Sequence, residues 1–215
     1  MKKLTNLLIH GMLSVLLLGC GTEKNDEGKN LQTGKPAILS DFIIMAYSGP
    51  PPGEVTLERY QEIADAGIEY LVPGNGTFDE ETNLKAMELG EQTGIKIVPV
   101  DIRLFPFELK PDMVIDTAVI REIVNSYKDQ PAFASYVVKD EPSGDLFQAL
   151  SAICDIFRAE DPEHIPLINL LPSYGSPTQL GFDDYRTHIV SFIETVEPEL
   201  LSYDYYALRN EGITW

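Results

Sequence analysis

The sequence predicts an α/β protein with parallel strands, and three observations support that fold class. From about residue 38 onward, short apolar runs alternate with amphipathic helical patterns. Clusters of turn residues separate the two kinds of segment. Gly67 and Gly94 each follow a helical pattern directly and lead into the next apolar run, as a glycine at a helix C-terminus does. This strand-helix rhythm is typical of βα units, whose strands are parallel.

Six strands are predicted from runs rich in Val, Ile, Leu and Tyr, at residues 42–47, 68–72, 95–101, 134–139, 166–171 and 201–206. Five helices with apolar residues at helical spacing lie between them, at residues 57–66, 80–93, 112–127, 144–160 and 183–196.

Two architectures accommodate these strands: an open doubly wound sheet, or a (βα)8 TIM barrel that is incomplete. The stretch after the first strand, residues 48–53, is too rich in proline to offer the row of amide donors found in a phosphate-binding loop. The sequence stops soon after the sixth strand, whereas a complete barrel needs about 250 residues. We therefore predict an incomplete TIM barrel of about six parallel strands.

The N-terminus has the pattern of an export signal. Lys2 and Lys3 precede an apolar run at residues 7–18, which is too short to span a bilayer as a mature helix. The run ends in Leu-Leu-Gly-Cys, which resembles a bacterial lipobox and identifies Cys20 as the acylated residue. An ordinary secretory signal with an incidental cysteine is the alternative.

Three segments follow from this reading: a signal peptide at 1–19, a lipidated flexible tether at 20–37 and a partial barrel domain at 38–215. The tether is polar and cannot form a core. The chain is expected in the bacterial cell envelope, anchored to the membrane by lipid and facing the periplasm or the cell exterior.

The charge excludes one class of partner. The formal net charge is -18, and removal of residues 1–19 would take away Lys2 and Lys3 and no acid, giving -20. Nucleic acid is therefore not expected as a partner. Cys154 lies in an apolar helical pattern and is predicted to be a buried structural thiol.

Polar residues gather where the predicted strands end. The carboxyl ends of parallel strands share one face, so these side chains are expected to lie on one rim. They are Tyr47, Asn75, Asp101, Arg103, Asp140, Glu141, Asn169, Tyr174, Asp204, Tyr205 and Tyr206. No histidine is among them, because His164 and His188 fall elsewhere and are predicted to be surface or capping residues. Neither a metal nor a cofactor is expected.

The fourth strand carries the strongest signal, since its apolar run ends abruptly in Asp140, Glu141 and Pro142. The same residues, with Ser143, would also suit the first turn of the following helix as a cap, which is the structural alternative. Carboxylates beside aromatic rings favour carbohydrate chemistry, because two carboxyl groups cleave glycosidic bonds and aromatic rings pack against sugar faces.

The Asp140-Glu141-Pro142 ending resembles the Asn-Glu-Pro ending of strand four in the large clan of retaining (βα)8 glycoside hydrolases. Further segments are similar to glycosidases among bacterial lipoproteins: Gly-Pro-Pro-Pro at 49–52, Asp-Pro-Glu-His at 161–164, Asn-Leu-Leu-Pro at 169–172 and Leu-Ser-Tyr-Asp-Tyr-Tyr at 201–206. The resemblance covers roughly residues 40–208.

The resemblance implies that Glu141 is the general acid/base of a glycoside hydrolase acting on a carbohydrate. Substrate contacts are expected from Tyr47, Asn75, Asp101, Arg103, Asp140, Asn169, Tyr174, Asp204 and Tyr206. Asp140 stands where the clan has Asn. The clan's nucleophile ends strand seven, so the second carboxylate is expected beyond Trp215 and the 215 residues alone are expected to be inactive.

Two other functions compete. A surface lipoprotein that binds carbohydrate without cleaving it would use the same rim. An aldolase-type barrel would use Lys139 as a Schiff-base amine, but strand alternation places Lys139 on the face opposite to Asp140.

Overall fold

The computed structural model describes residues 42–104, 109, 116–209 and 212–213. The predicted signal peptide, Cys20 and the tether at 20–37 lie outside these residues. Residues 110–115, which include the predicted start of the third helix, also lie outside them. Within the described part, no helix combines the length and the apolar character that a membrane crossing requires.

The described residues form six parallel strands: β1 (Met45–Tyr47), β2 (Tyr70–Val72), β3 (Lys96–Ile97), β4 (Ser135–Asp140), β5 (Ile165–Leu170) and β6 (Ser202–Tyr203). The helices are α1 (Leu57–Asp65), α2 (Glu80–Thr93), α3 (Thr117–Tyr127), α4 (Phe147–Glu160), the short α5 (Pro177–Leu180) and α6 (Tyr185–Val196). A small antiparallel hairpin of β7 (Leu208–Arg209) and β8 (Gly212–Ile213) follows β6. Neither α5 nor the hairpin was predicted from the sequence.

The strands lie side by side in chain order. They form two three-stranded parallel sheets, β1-β2-β3 and β4-β5-β6. Two isolated parallel bridges, Ile97 with Phe133 and Val100 with Val137, join β3 to the second sheet. The Ala134 amide donates to the Ile97 carbonyl at 2.9 Å across this junction. A sequential parallel order is that of a (βα)8 barrel, whereas doubly wound sheets reverse their strand order part-way.

The helices cover one side of the curved sheet. Side chains from α1, α2, α3, α4 and α6 join the outward-facing strand residues in one large core, exemplified by Tyr60, Ile123 and Phe157. A smaller core of Val72, Val98 and Leu167 lies on the opposite, concave side. A doubly wound sheet would carry helices on both faces. The prediction of an incomplete barrel is therefore confirmed.

The strands are shorter than predicted, most clearly β3, which was expected over 95–101 and spans only Lys96–Ile97. Pro99 has no N–H to donate to a ladder, so regular pairing stops before it. The chain nevertheless stays beside β4, because the Val137 amide donates to the Pro99 carbonyl at 3.3 Å.

Helix boundaries follow local chemistry closely. The Asp79 carboxylate accepts from the Thr82 amide at 2.9 Å and caps α2, and Gly94 ends the helix with a left-handed φ of 80°. Asp116 and Asp184 cap α3 and α6 in the same way as Asp79. These caps explain why the sequence located helix starts and ends to within a few residues.

A β-bulge interrupts β4. Val137 pairs with Leu167 of β5, but Lys139 pairs with Ile168, so Val138 is an extra residue. Val138 belongs to the outer core, whereas Val137 packs against the inner one. Asp140 then pairs with Asn169. The bulge thus brings both Val137 and Asp140 to the concave side, although three positions separate them.

His188 on α6 is fully buried, which corrects the prediction of a surface or capping histidine. Its Nδ1 lies 2.8 Å from the Leu180 carbonyl oxygen, and its ring packs against Phe147 and Phe182 with centroids 5.0 and 6.0 Å away. His188 lies four residues before Phe192 and eight before Val196, which are also buried, so it occupies the core-facing side of α6.

Burial lowers the pKa of His188 below its ordinary value of 6.5. The unfolded chain therefore protonates His188 more readily than the folded chain does. Neutral His188 contributes stability at pH values above its pKa in the unfolded state, and this contribution is lost as the pH falls through its pKa in the folded state. We expect the free energy of unfolding to fall by at most about 1.4 kcal/mol per pH unit from this group. Urea unfolding at neutral and mildly acidic pH should show a smaller acid-induced loss in His188→Phe than in the wild type. Equal losses would contradict the assignment.

Candidate active site

Three carboxyl groups meet at the carboxyl ends of β4 and β6. Asp140 ends β4, Glu141 follows it, and Asp204 follows β6 directly. Asn169 of β5 lies between the two strands in the ladder, paired with Asp140 on one side and Ser202 on the other. We call Asp140, Glu141 and Asp204 the carboxylate cluster.

Glu141 has an unusual backbone. Its φ is +44°, in the left-handed region that residues other than glycine seldom adopt. Its amide donates to the Asn169 carbonyl at 2.8 Å, which holds the residue beside β5. The chain then turns through Pro142 into a single 3-10 turn at Gly144–Leu146, and the Ser143 side chain forms no capping bond there. The acids therefore do not serve as a helix cap.

The amide of Asn169 joins the outer members of the cluster. Its Nδ2 donates to Asp140 Oδ1 at 3.0 Å and to Asp204 Oδ1 at 2.8 Å. Its Oδ1 accepts from the Ser202 hydroxyl at 2.7 Å. The sequence did not identify Ser202, because its position inside the predicted sixth strand gave no signal.

The carboxyl of Glu141 is held in its protonated form more readily than a free glutamate. Partial burial raises its pKa first, and a hydrogen bond with the Asp204 carboxyl and the charges of Asp204 and Asp140 raise it further. The Glu141 side chain is nevertheless exposed at the rim. A carboxyl whose pKa is raised and which is open to solvent is suited to donate a proton to a bound molecule.

Tyrosines surround the cluster. The Tyr206 hydroxyl donates to Asp204 Oδ2 at 2.9 Å, and this bond raises the pKa of Tyr206 to about 12. Tyr47 lines the same cavity as Asp140 and Asp204. Burial, and then the charges of Asp140, Asp204 and Glu141, raise its pKa. Tyr174 is close enough to Tyr206 for its charge to affect the same pKa. The rings of Tyr47 and Tyr206 are 68% and 57% exposed.

Two cavities adjoin at the rim. One, of about 360 Å³, is lined by residues of β1, β2, β4, β5 and β6, including Tyr47, Asn169, Asp204 and Tyr206. Residues from β1 and β6 face the same space although the strands are not paired, so the sheet is curved. The other cavity, of about 390 Å³, includes Asn75 and shares Tyr47 and Asp140 with the first.

Asp101 and Arg103 lie away from the cluster. Asp101 is 2% exposed and accepts from Arg103 Nη2 at 2.7 Å and from the Tyr127 hydroxyl at 2.6 Å. Arg103 also pairs with Glu80 at 2.9 Å, and its hydrogen bond with Asp101 raises its pKa. Both side chains are engaged with α2 and α3 rather than with the carboxylate cluster.

The remaining predicted residues have clear positions. The Asn75 amide donates to the Gly49 carbonyl at 3.1 Å. Lys139 pairs with Ile168 of the outer core, on the face opposite to Asp140 as alternation predicted. Cys154 is fully buried, and burial raises the pKa of its thiol to about 12, which excludes a nucleophile there. In the part of the chain that the structure describes, no group of three or more His, Cys, Asp or Glu side chains could hold a metal ion.

Comparison with known proteins gave structural likenesses only. No protein-family model and no curated protein sequence matched the chain. Among solved structures, it is similar to an endoglucanase, Cel5A of Pseudomonas stutzeri, with 16% identity, a TM-score of 0.47, and coverage of 63% of this chain and 55% of that one. A plant beta-glucan endohydrolase structure gave 15% identity, a TM-score of 0.49, and coverage of 78% and 56%.

A third similar structure is a glycoside hydrolase family 5 protein of Bacteroides vulgatus, with 13% identity, a TM-score of 0.44, and coverage of 75% of this chain and 48% of that one. The chain thus spans about half the length of these three proteins. The fold assignment rests on the order and pairing of the strands in this chain.

Proposed function

We propose that the chain is the acid/base-bearing part of a glycoside hydrolase, with Glu141 as the general acid/base. One observation carries this proposal: an exposed carboxyl with a raised pKa lies beside a second carboxyl and two exposed tyrosine rings at the open end of a barrel. Protonated carboxyl groups cleave glycosidic bonds by protonating the leaving oxygen, and aromatic rings pack on sugar faces.

The proposed reaction assigns one role to each group. Glu141 gives its proton to the glycosidic oxygen as the bond to the anomeric carbon breaks, and later takes a proton from the attacking water. Asp204 favours the protonated form of Glu141 before the reaction. Tyr47 and Tyr206 would contact the sugar.

Asp204 raises the pKa of Glu141 and so favours its protonated form, and this is the role proposed for it in place of the second carboxylate. The second carboxylate lies about 5 Å from the acid in a retaining enzyme and about 6.5–9.5 Å from it in an inverting one. We therefore propose that the nucleophile comes from beyond residue 215, in line with the resemblance of the sequence.

A nucleophile supplied from solution tests this proposal. Azide is small enough to replace a missing carboxylate: it attacks the anomeric carbon, the glycosidic bond breaks, and the Glu141 proton goes to the leaving oxygen. The purified chain should release phenol from phenyl glycosides and form a glycosyl azide only when azide is present. A panel of common sugars that gives no azide-dependent release of phenol would overturn the proposal.

A carbohydrate-binding protein without hydrolytic activity is the second candidate. The exposure of Tyr47 and Tyr206 favours it, because open aromatic faces are sufficient for binding. Titration calorimetry with the same sugars separates the two functions. Binding with no glycosyl azide would support the binder.

We also propose that the chain is lipid-anchored in the cell envelope through Cys20, which lies outside the described residues. The polar tether offers no apolar surface that could hold a membrane. Cys20→Ala should move the protein from the membrane fraction to the soluble fraction, or block its processing. Unchanged fractionation would count against lipidation.

A further inference from the structure

The contacts around Asn169 indicate a role that the proposed function does not give it. It touches all three parts of the site: its main-chain carbonyl accepts from the Glu141 amide at 2.8 Å, and its side-chain amide donates to Asp140 and Asp204. The residue lies on β5, between the strands that carry the acids. A single residue therefore holds both the backbone of Glu141 and the Asp204 carboxyl, which raises the pKa of Glu141.

Ser202 fixes the direction of the Asn169 amide. Its hydroxyl donates to Oδ1 at 2.7 Å, so the nitrogen faces the carboxylates. With the amide turned over, its oxygen would face two carboxylate oxygens, which is repulsive. The two hydrogens of Nδ2 bind one carboxylate each, and this offsets the repulsion between Asp140 and Asp204.

We propose that Asn169, held by Ser202, is a positioning residue that holds the Glu141 main chain and fixes Asp140 and Asp204 beside it. This inference rests on the proposed function of Glu141 and changes the predicted role of Asn169 from substrate contact to organisation of the acids. Both hydrogens and the oxygen of its side-chain amide are already used within the protein.

Charged and titratable groups reach this site from four parts of the chain. Tyr47 comes from β1, Asp140 and Glu141 from β4 and the residue after it, Tyr174 from the segment after β5, and Asp204 and Tyr206 from the end of β6. Asp204 is held from two sides, by Asn169 at Oδ1 and by Tyr206 at Oδ2. Without the Asn169 amide, Asp204 keeps only one of these two hydrogen bonds, the one with Tyr206. Its carboxyl should then move more freely, and its effect on Glu141 should weaken.

The test needs no enzymatic activity. In the whole chain labelled with ¹³C in its acidic side chains, we expect NMR to show one dominant rotamer for Asp204 and a Glu141 titration midpoint above that of an ordinary glutamate. Asn169→Leu should produce rotamer averaging at Asp204 and a fall of the Glu141 midpoint toward the ordinary value. Ser202→Ala should change both in the same direction by a smaller amount.

Asn125→Leu, which removes an exposed amide on α3, is the matched control. It should change neither the Asp204 rotamer nor the Glu141 titration midpoint. If Asn169→Leu does not fold, Ser202→Ala decides alone, because it removes a single hydroxyl. Wild-type rotamers and midpoint in the folded variants would overturn the proposal. A positive titration result without azide-dependent phenol release would leave the positioning role intact and overturn only the hydrolase function.

Discussion

Glu141→Gln is expected to lower azide-dependent cleavage of glycosides with poor leaving groups by about 10²–10⁴-fold, because glutamine cannot supply the proton that the leaving oxygen requires. Substrates with very acidic leaving groups need no such proton and should lose much less. Sugar binding should persist, since the amide has nearly the same shape as the carboxyl. The measurement is the rate of phenol release across a series of aryl glycosides in wild type and variant.

Glu194→Gln is the matched control, because Glu194 is an exposed glutamate on α6, away from the rim. Its rates should equal those of the wild type. Equal losses for good and poor leaving groups in Glu141→Gln would mean that Glu141 binds or orients the sugar and does not transfer a proton. Wild-type rates for every substrate would remove Glu141 from the mechanism.

Gly90→Ala should lower the free energy of unfolding by about 2 kcal/mol, the middle of the usual range for overpacking a core. A Cβ at this position on α2 would lie 2.5 Å from the Ile95 carbonyl oxygen and 2.9 Å from Ile97 Cγ1. The first of these atoms belongs to the backbone, so no side-chain rotation relieves the contact. The better helix propensity of alanine, about 1 kcal/mol, offsets only part of the cost.

Urea unfolding measures this change, and Gly53→Ala provides the control. A Cβ on Gly53 meets no atom within 4 Å, and the stability should stay within about 0.5 kcal/mol of the wild type. A Gly90→Ala protein as stable as the wild type would show that α2 can move away from β3 without cost.

Much of the fold could be predicted because local chemistry determined it. Caps such as Asp79 and terminators such as Gly94 set the ends of helices, and apolar runs located all six strands. The short α5 was missed because its four residues, Pro177–Leu180, hold too little periodicity to stand out from a loop. The position of His188 was missed because surrounding aromatic residues, and not its own type, determine its burial.

The site was less predictable than the fold. The strand-end rule gathered Asp140, Glu141, Asn169 and Asp204 correctly on one rim, but it does not say which side of the sheet a residue takes. Simple alternation gives Asp140 the same face as Tyr136, which belongs to the outer core. Only pairing between strands, which the sequence of one strand does not contain, reveals the bulge that changes this.

The bulge lies between the packed residues of β4 and its acidic end at the rim. In a regular strand, one inserted residue rotates everything beyond it to the opposite face. Here the extra residue, Val138, lies in the outer core, and beyond it Asp140 still pairs with Asn169 on the concave side. The bulge thus takes up the change of face within β4 itself, and the packed residues before it keep their positions. Changes at the acidic end of β4 need not be matched by changes in the core.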